Sequence, residues 1–160
     1  MTIKTGDKLP DATFMEMTGS GPVPCTTAEI FSGKTIALFA VPGAFTPTCS
    51  AKHAPGFRDK AAELAAKGVD EIIGLSVNDV FVMGAWAKDM GLGDKVRLLA
   101  DGNGTFTKEI DLDMDGSGFG MGLRSQRYSM VVTDGVVTEL NVEDGGEFKV
   151  SSAEYMLAQL

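Results

Sequence analysis

The run Thr35-Ile-Ala-Leu-Phe-Ala-Val41 is apolar after its first residue and follows the turn formers Ser32, Gly33 and Lys34. An unbroken apolar run of this length predicts a strand buried on both faces. Glu71-Ile-Ile-Gly-Leu-Ser-Val77 predicts a second. The segment between them, from Pro47 to Lys67, is rich in Ala, Lys, Glu and Leu, and reads as a helix kinked at Pro55-Gly56. Strand, helix and strand in this order form a parallel pair with a right-handed crossover. Upstream, Thr18-Gly-Ser-Gly-Pro-Val-Pro24 reads as a loop, and Thr26 with Glu29 as a capping box opening a short helix through Phe31. Downstream, a helix is expected over 79–90 with Phe81, Val82, Ala85 and Trp86 on one side. A strand follows over Val96–Ala100, then a short helix from Gly104 to Ile110. Tyr128–Thr133 and Val136–Val142 flank Asp134-Gly135, a strong hairpin signal, and Ser151–Leu160 closes as a helix. The pattern is that of an α/β protein whose mixed sheet ends in an antiparallel hairpin.

Composition narrows the function. A length of 160 residues suits one domain, over 1–160. The net charge of −8 repels phosphate backbones and anionic lipid, so neither nucleic acid nor a membrane is an expected partner. No stretch approaches the ~18 apolar residues of a membrane span. Met1–Pro10 lacks the apolar core of a signal peptide, so a cytoplasmic protein is expected. There are two cysteines, Cys25 and Cys49, with no Cys-x-x-Cys, and one histidine, His53. That set is too small for a structural zinc site, and no metal or cofactor is expected.

The chemistry concentrates in Val41-Pro-Gly-Ala-Phe-Thr-Pro-Thr-Cys-Ser50, at the carboxyl end of the first buried strand, where active sites of parallel sheets gather. Thr46 and Pro47 read as N-cap and first helical residue, which puts Cys49 in the first turn. Free N–H groups and the helix dipole favour a thiolate there.

Pro42-x-x-x-Thr46-x-x-Cys49 resembles the active-site signature of the peroxiredoxins, and the longer string resembles their peroxiredoxin-5 (redoxin) subfamily. The resemblance continues through His53-x-Pro55-Gly56-Phe57, Ser76-Val-Asn-Asp79-x-Phe-Val-Met83, Ala100-Asp-Gly-x-Gly104, Arg124-Ser-Gln-Arg127-Tyr-Ser-Met130 and Asp134-Gly135. It implies a thioredoxin-like fold, a central mixed β-sheet flanked by helices. It implies a thiol-dependent peroxidase that reduces hydrogen peroxide and alkyl hydroperoxides through a cysteine sulfenic acid, and a homodimer. Cys49 is then the nucleophile. Thr46 lies one turn away and offers a hydroxyl, the Cys49 N–H offers a second donor, and Pro42 shields the sulfur from water. Arg124 and Arg127 are both candidates for the arginine such a site needs. By analogy Arg127, directly before its strand, takes that role, and Arg124 lies at the site's edge or at a subunit contact. Gly43, Phe45, Phe119 and Arg124 are the candidate substrate-binding residues. Phe45 and Phe119 suit an apolar mouth for organic peroxides, and equally core or dimer contacts.

Other features fit less well. His53, four residues after Cys49, suits a catalytic base or a packing or interface role. Asp111-x-Asp113-x-Asp115-Gly116 opens like a calcium loop, but Gly122 stands where the bidentate glutamate belongs, so an acidic flexible turn is expected. The glycine-rich 116–122 stretch does not follow a strand and open a helix as a dinucleotide loop must. Trp86 reads as core. Cys25 carries no motif. Some peroxiredoxins resolve the sulfenic acid with a second cysteine near the C-terminal end, where this chain has Val150-Ser151-Ser152. A one-cysteine mechanism is therefore expected, recycled by an external thiol: glutathione, glutaredoxin or thioredoxin. The alternative function is a peroxide-sensing redox relay that passes oxidation of Cys49 to a partner.

Overall fold

The computed structural model describes all 160 residues. An N-terminal hairpin, β1 (Thr13–Thr18) and β2 (Gly21–Thr26), leads into α1 (Thr27–Phe31) and β3 (Thr35–Val41). A π-helical turn (Cys49–His53), α2 (Ala54–Asp59) and α3 (Ala61–Ala66) cross over to β4 (Glu71–Ser76). Then come α4 (Val80–Asp89), β5 (Arg97–Ala100), α5 (Thr105–Glu109), a small ribbon of β6 (Asp113–Asp115) and β7 (Leu123–Ser125), the hairpin β8 (Tyr128–Thr133) and β9 (Val136–Val142), and α6 (Ala153–Gln159).

Seven strands form one mixed sheet in the order β2-β1-β5-β4-β3-β8-β9. β3, β4 and β5 run parallel, and β8 joins β3 antiparallel with Ala40 opposite Tyr128. β3 is buried from Ile36 to Val41 because apolar layers cover both faces. One layer, with α1 and α5, includes Phe14, Phe31, Phe106 and Tyr128. The other, with the crossover helices, α4 and α6, includes Phe39, Cys49, Phe57, Trp86 and Met156. Phe39 stacks on Phe57 at 4.5 Å between centroids. Truncating such a ring costs about 3–5 kcal/mol.

The expected strands and closing helix form within a residue or two of the expected positions. Asp134 and Gly135 both take positive φ, as a two-residue hairpin turn requires. Several expectations need correction. The stretch read as a loop before Cys25 is strand β2. Pro22 and Pro24 are tolerated because β2 is an edge strand, bonded only to β1. The helical run continues past Pro55 and breaks at Lys60: Pro55 directly follows the π turn, where the widened hydrogen bonding accommodates its missing N–H. The buried residues of α4 are Val80, Met83 and Trp86, while Phe81 and Ala85 face outward. A helix apolar on almost every side carries no phase in its sequence, and packing chooses the face. The stretch expected to be an acidic turn is strand β6, paired to β7.

Candidate active site

The carboxyl ends of β3 and β4 and the start of β8 meet at one end of the sheet. β3 stops at Val41 because Pro42 has no N–H to continue the ladder. The chain then turns through Gly43–Phe45. Gly43 is buried, and a Cβ there would lie 3.1 Å from Thr46 Cγ2 and 3.3 Å from Met121 Cε, tighter than ordinary packing. Phe45 holds the turn at φ 65°, strained for a side chain of this size. Asn78 braces it: its Oδ1 accepts from the Ala44 N–H at 3.0 Å and lies 2.6 Å from the Ser76 hydroxyl. Asn78 is a site residue that sequence reasoning passed over, although it lies within a stretch that carries the resemblance.

Helical hydrogen bonding begins at Pro47, with Thr46 before it, so Cys49 is in the first turn. Thr46 does not cap with its side chain. Its Oγ1 lies 2.7 Å from the Gly43 carbonyl oxygen and 2.8 Å from Cys49 Sγ. The hydroxyl has one proton, so it donates to one of these acceptors at a time. The Cys49 N–H takes no carbonyl of the chain and is free to bind a ligand. Immediately after, the helix widens: the Ala54 N–H bonds the Cys49 carbonyl, a five-residue reach. Trp86 Nε1 donates to Ser50 Oγ at 3.0 Å, tying this turn to α4.

Arg127 precedes β8, and the β3–β8 register brings it level with the 41–43 turn. Its Nη2 donates to Cys49 Sγ at 2.9 Å and its Nη1 to His53 Nδ1 at 2.9 Å. No ion pair involves Arg127, so its charge is left to the sulfur. Cys49 Sγ thus has two hydrogen-bond donors within reach, the Arg127 guanidinium and the Thr46 hydroxyl. Arg124 bonds the carbonyls of Met121 at 2.9 Å and Val77 at 3.2 Å, at the edge of the site and off the sulfur.

His53 is fully buried among the rings of Phe39, Phe57 and Phe148, with centroids 5.0 to 5.7 Å away. Burial, and then the charge of Arg127, push its imidazole down to about 3, so it is neutral. Its Nε2 donates to the Ser151 carbonyl at 2.9 Å, which leaves Nδ1 as the acceptor for Arg127. The base role is not what this geometry offers: the one available lone pair already holds Arg127.

Pro42, Met114, Phe119, Gln126, Arg127 and Glu143 line a cavity of about 460 Å³. Phe119 is 86% exposed at its rim, and Phe45, 50% exposed, projects from the 43–46 turn. Neither is a core residue, because each sits on a turn beyond the end of a strand. Cys25 is elsewhere. It packs in the apolar layer on the face of the sheet opposite Cys49, and both cysteines are free thiols.

Residues 4–157 match the Redoxin family. The chain is 52% identical over 163 residues to Peroxiredoxin-2E, chloroplastic, of Arabidopsis thaliana, across 99% of this chain and 70% of that protein. It is 47% identical over 161 residues to Peroxiredoxin-2B of the same plant, across 99% and 98%. The crystal structure of reduced Prx3 from Vibrio vulnificus in complex with hydrogen peroxide superimposes with a TM-score of 0.95, at 51% identity and covering 99% of each chain. The mixed sheet with helices on both faces is the thioredoxin-like fold that the resemblance implies.

Proposed function

Because the chain belongs to the peroxiredoxin family, and is therefore a thiol-dependent peroxidase, we propose that Cys49 works alone and is recycled by an external thiol. One observation carries this reading: the thiol that has both Arg127 and Thr46 as donors is Cys49, and Cys25 packs on the far side of the sheet. The thiolate of Cys49 attacks the terminal oxygen of a hydroperoxide. An S–O bond forms, the O–O bond breaks, and the cysteine is oxidised to sulfenic acid as the peroxide is reduced. The departing alkoxide or hydroxide gathers charge where Arg127 Nη2, the Thr46 hydroxyl and the Cys49 N–H converge, and takes a proton from water. Pro42 and the rims formed by Phe45 and Phe119 limit water and suit an organic tail.

An external thiol then condenses with the sulfenic acid, releasing water and leaving a mixed disulfide. A second thiol frees Cys49. Glutathione, glutaredoxin and thioredoxin each supply this chemistry in a compartment where thiols stay reduced. A homodimer is part of the same reading: Phe45 and Phe81, 50% and 66% exposed, are large apolar side chains that a partner subunit would cover. The test is steady-state turnover of peroxide with separate glutathione–glutaredoxin and thioredoxin systems, for the natural chain and Cys25→Ser. Equal turnover by both chains is expected with at least one system. Loss of turnover in Cys25→Ser, with a Cys25–Cys49 crosslink after one equivalent of peroxide, would replace the one-cysteine cycle.

A further inference from the structure

Glu143 is a buried carboxylate that the reaction above does not use. It follows β9, and its backbone N–H donates to the Arg127 carbonyl at 2.9 Å. Its side chain does not pair with Arg127, although both line the same cavity. Instead one oxygen, Oε2, accepts four hydrogen bonds: the N–H groups of Lys149, Val150 and Ser151 at 2.8, 2.9 and 2.8 Å, and the Ser151 hydroxyl at 2.6 Å. Burial alone would raise the carboxyl's affinity for protons. The hydrogen bonds from Ser151, Lys149 and Val150 together outweigh it and keep the group below the ordinary glutamate value. Glu143 is therefore charged at neutral pH, and it winds the 149–151 segment around a single oxygen atom.

That segment carries two contacts that reach the reacting sulfur through Arg127. Ser151 presents its carbonyl to His53 Nε2. Phe148, next to the clamped residues, packs its ring on His53 and lies 6.0 Å below the Arg127 guanidinium. A neutral imidazole has two tautomers, and only the one protonated on Nε2 can accept from Arg127 Nη1. With the proton on Nδ1, two donors would face each other, and the guanidinium would have to turn away from Cys49.

We infer that Glu143 is a positioning residue for peroxide reduction, which clamps the 149–151 segment so that the Ser151 carbonyl selects the His53 tautomer that holds Arg127 on Cys49. The inference rests on Arg127 serving the sulfur. Arg127→Ala tests that separately: normal peroxide reduction by this variant would overturn the site reading itself.

His53 is the chain's single histidine, so nitrogen NMR of a labelled sample reads one imidazole. In the natural protein at pH 7 one tautomer is expected, protonated on Nε2. Glu143→Gln should add the Nδ1-protonated form and slow single-turnover peroxide reduction by about tenfold, the scale of loss from a slightly misplaced catalytic group. The loss should not multiply with that of His53→Leu, because both act through one contact with Arg127. An unchanged imidazole spectrum, or rate losses that multiply, would overturn the inference and leave Glu143 a fold residue. If Glu143→Gln does not fold, Ser151→Ala removes one of the four donors and keeps the carbonyl. Tautomer mixing with a smaller rate loss is then expected, and an unmixed imidazole with a slowed rate would overturn the inference.

Discussion

Both cysteines of this chain are buried and both lie against an arginine, yet the two arginines are engaged differently. At Cys49 the arginine's second partner is a neutral imidazole. At Cys25, Arg97 Nη2 comes within 3.5 Å of the sulfur, but the guanidinium is committed to Glu16 at 2.7 and 2.9 Å and to Glu71 at 3.5 Å. Glu16 Oε1 itself accepts from the Cys25 thiol at 3.5 Å. Burial, and then Glu16, push the Cys25 thiol up, beyond what Arg97 offsets. An arginine beside a cysteine is thus no mark of reactivity. What counts is whether carboxylates have already claimed its charge. The active site keeps Glu143 close to Arg127 but turns its carboxylate onto backbone N–H groups, so the guanidinium faces the sulfur uncompensated.

The largest effect separates the two thiols. Cys49→Ser should abolish peroxide turnover, because a serine hydroxyl without a base is too weak a nucleophile, while Cys25→Ser stays within about twofold of the natural chain. Stopped-flow consumption of peroxide measures both, and comparable losses would erase the distinction. Next are the arginines. Arg127→Ala should slow peroxide reduction by about 10²–10³, the range for losing one preorganised donor. Arg124→Ala should cost less, and Arg97→Ala should leave the rate unchanged. A loss with Arg97→Ala equal to that with Arg127→Ala would show that the distant ion pair matters to the chemistry.

The neutral imidazole makes a third prediction. Its midpoint is lowered from 6.5 to about 3, so the folded protein refuses a proton that the unfolded chain accepts. The stability this contributes is complete above pH 6.5 and declines as pH falls towards about 3, by about 1.4 kcal/mol per unit. Urea unfolding at pH 7 and pH 5 should differ by about 2 kcal/mol more in the natural protein than in His53→Leu. Equal slopes would mean that His53 is charged when folded. The smallest effect lies at the other cysteine: Glu16→Gln should speed alkylation of Cys25 a few-fold, by removing the charge that opposes its ionisation, and leave Cys49 unaffected.

Legibility followed the range of the interactions. β3 and the β8–β9 hairpin were readable because their signals, a long apolar run and an Asp-Gly turn, are local. Cys49 and Thr46 were readable for the same reason, being one helical turn apart. Arg127 required the family resemblance, since nothing local distinguishes it from Arg124. The β1–β2 hairpin was obscured by two prolines that only an edge position permits. The widened turn after Cys49 has the same composition as any helix start, and its sequence does not reveal the five-residue reach. Glu143 and the contact made by Ser151 were out of view: Ser151 meets His53 across 98 residues, and a glutamate before a glycine-rich loop reads as surface.

Thr46's single hydroxyl proton serves two acceptors in turn. In the thiol form, Cys49 can donate to Thr46 while Thr46 donates to the Gly43 carbonyl, so the turn at the mouth is held by a two-link chain. Once the sulfur carries charge, the same proton rotates onto it, and the Gly43 carbonyl is left with only the long 3.4 Å bond from the Thr46 N–H. The sulfur and the Gly43 carbonyl, in the turn that bears Phe45, therefore compete for one proton.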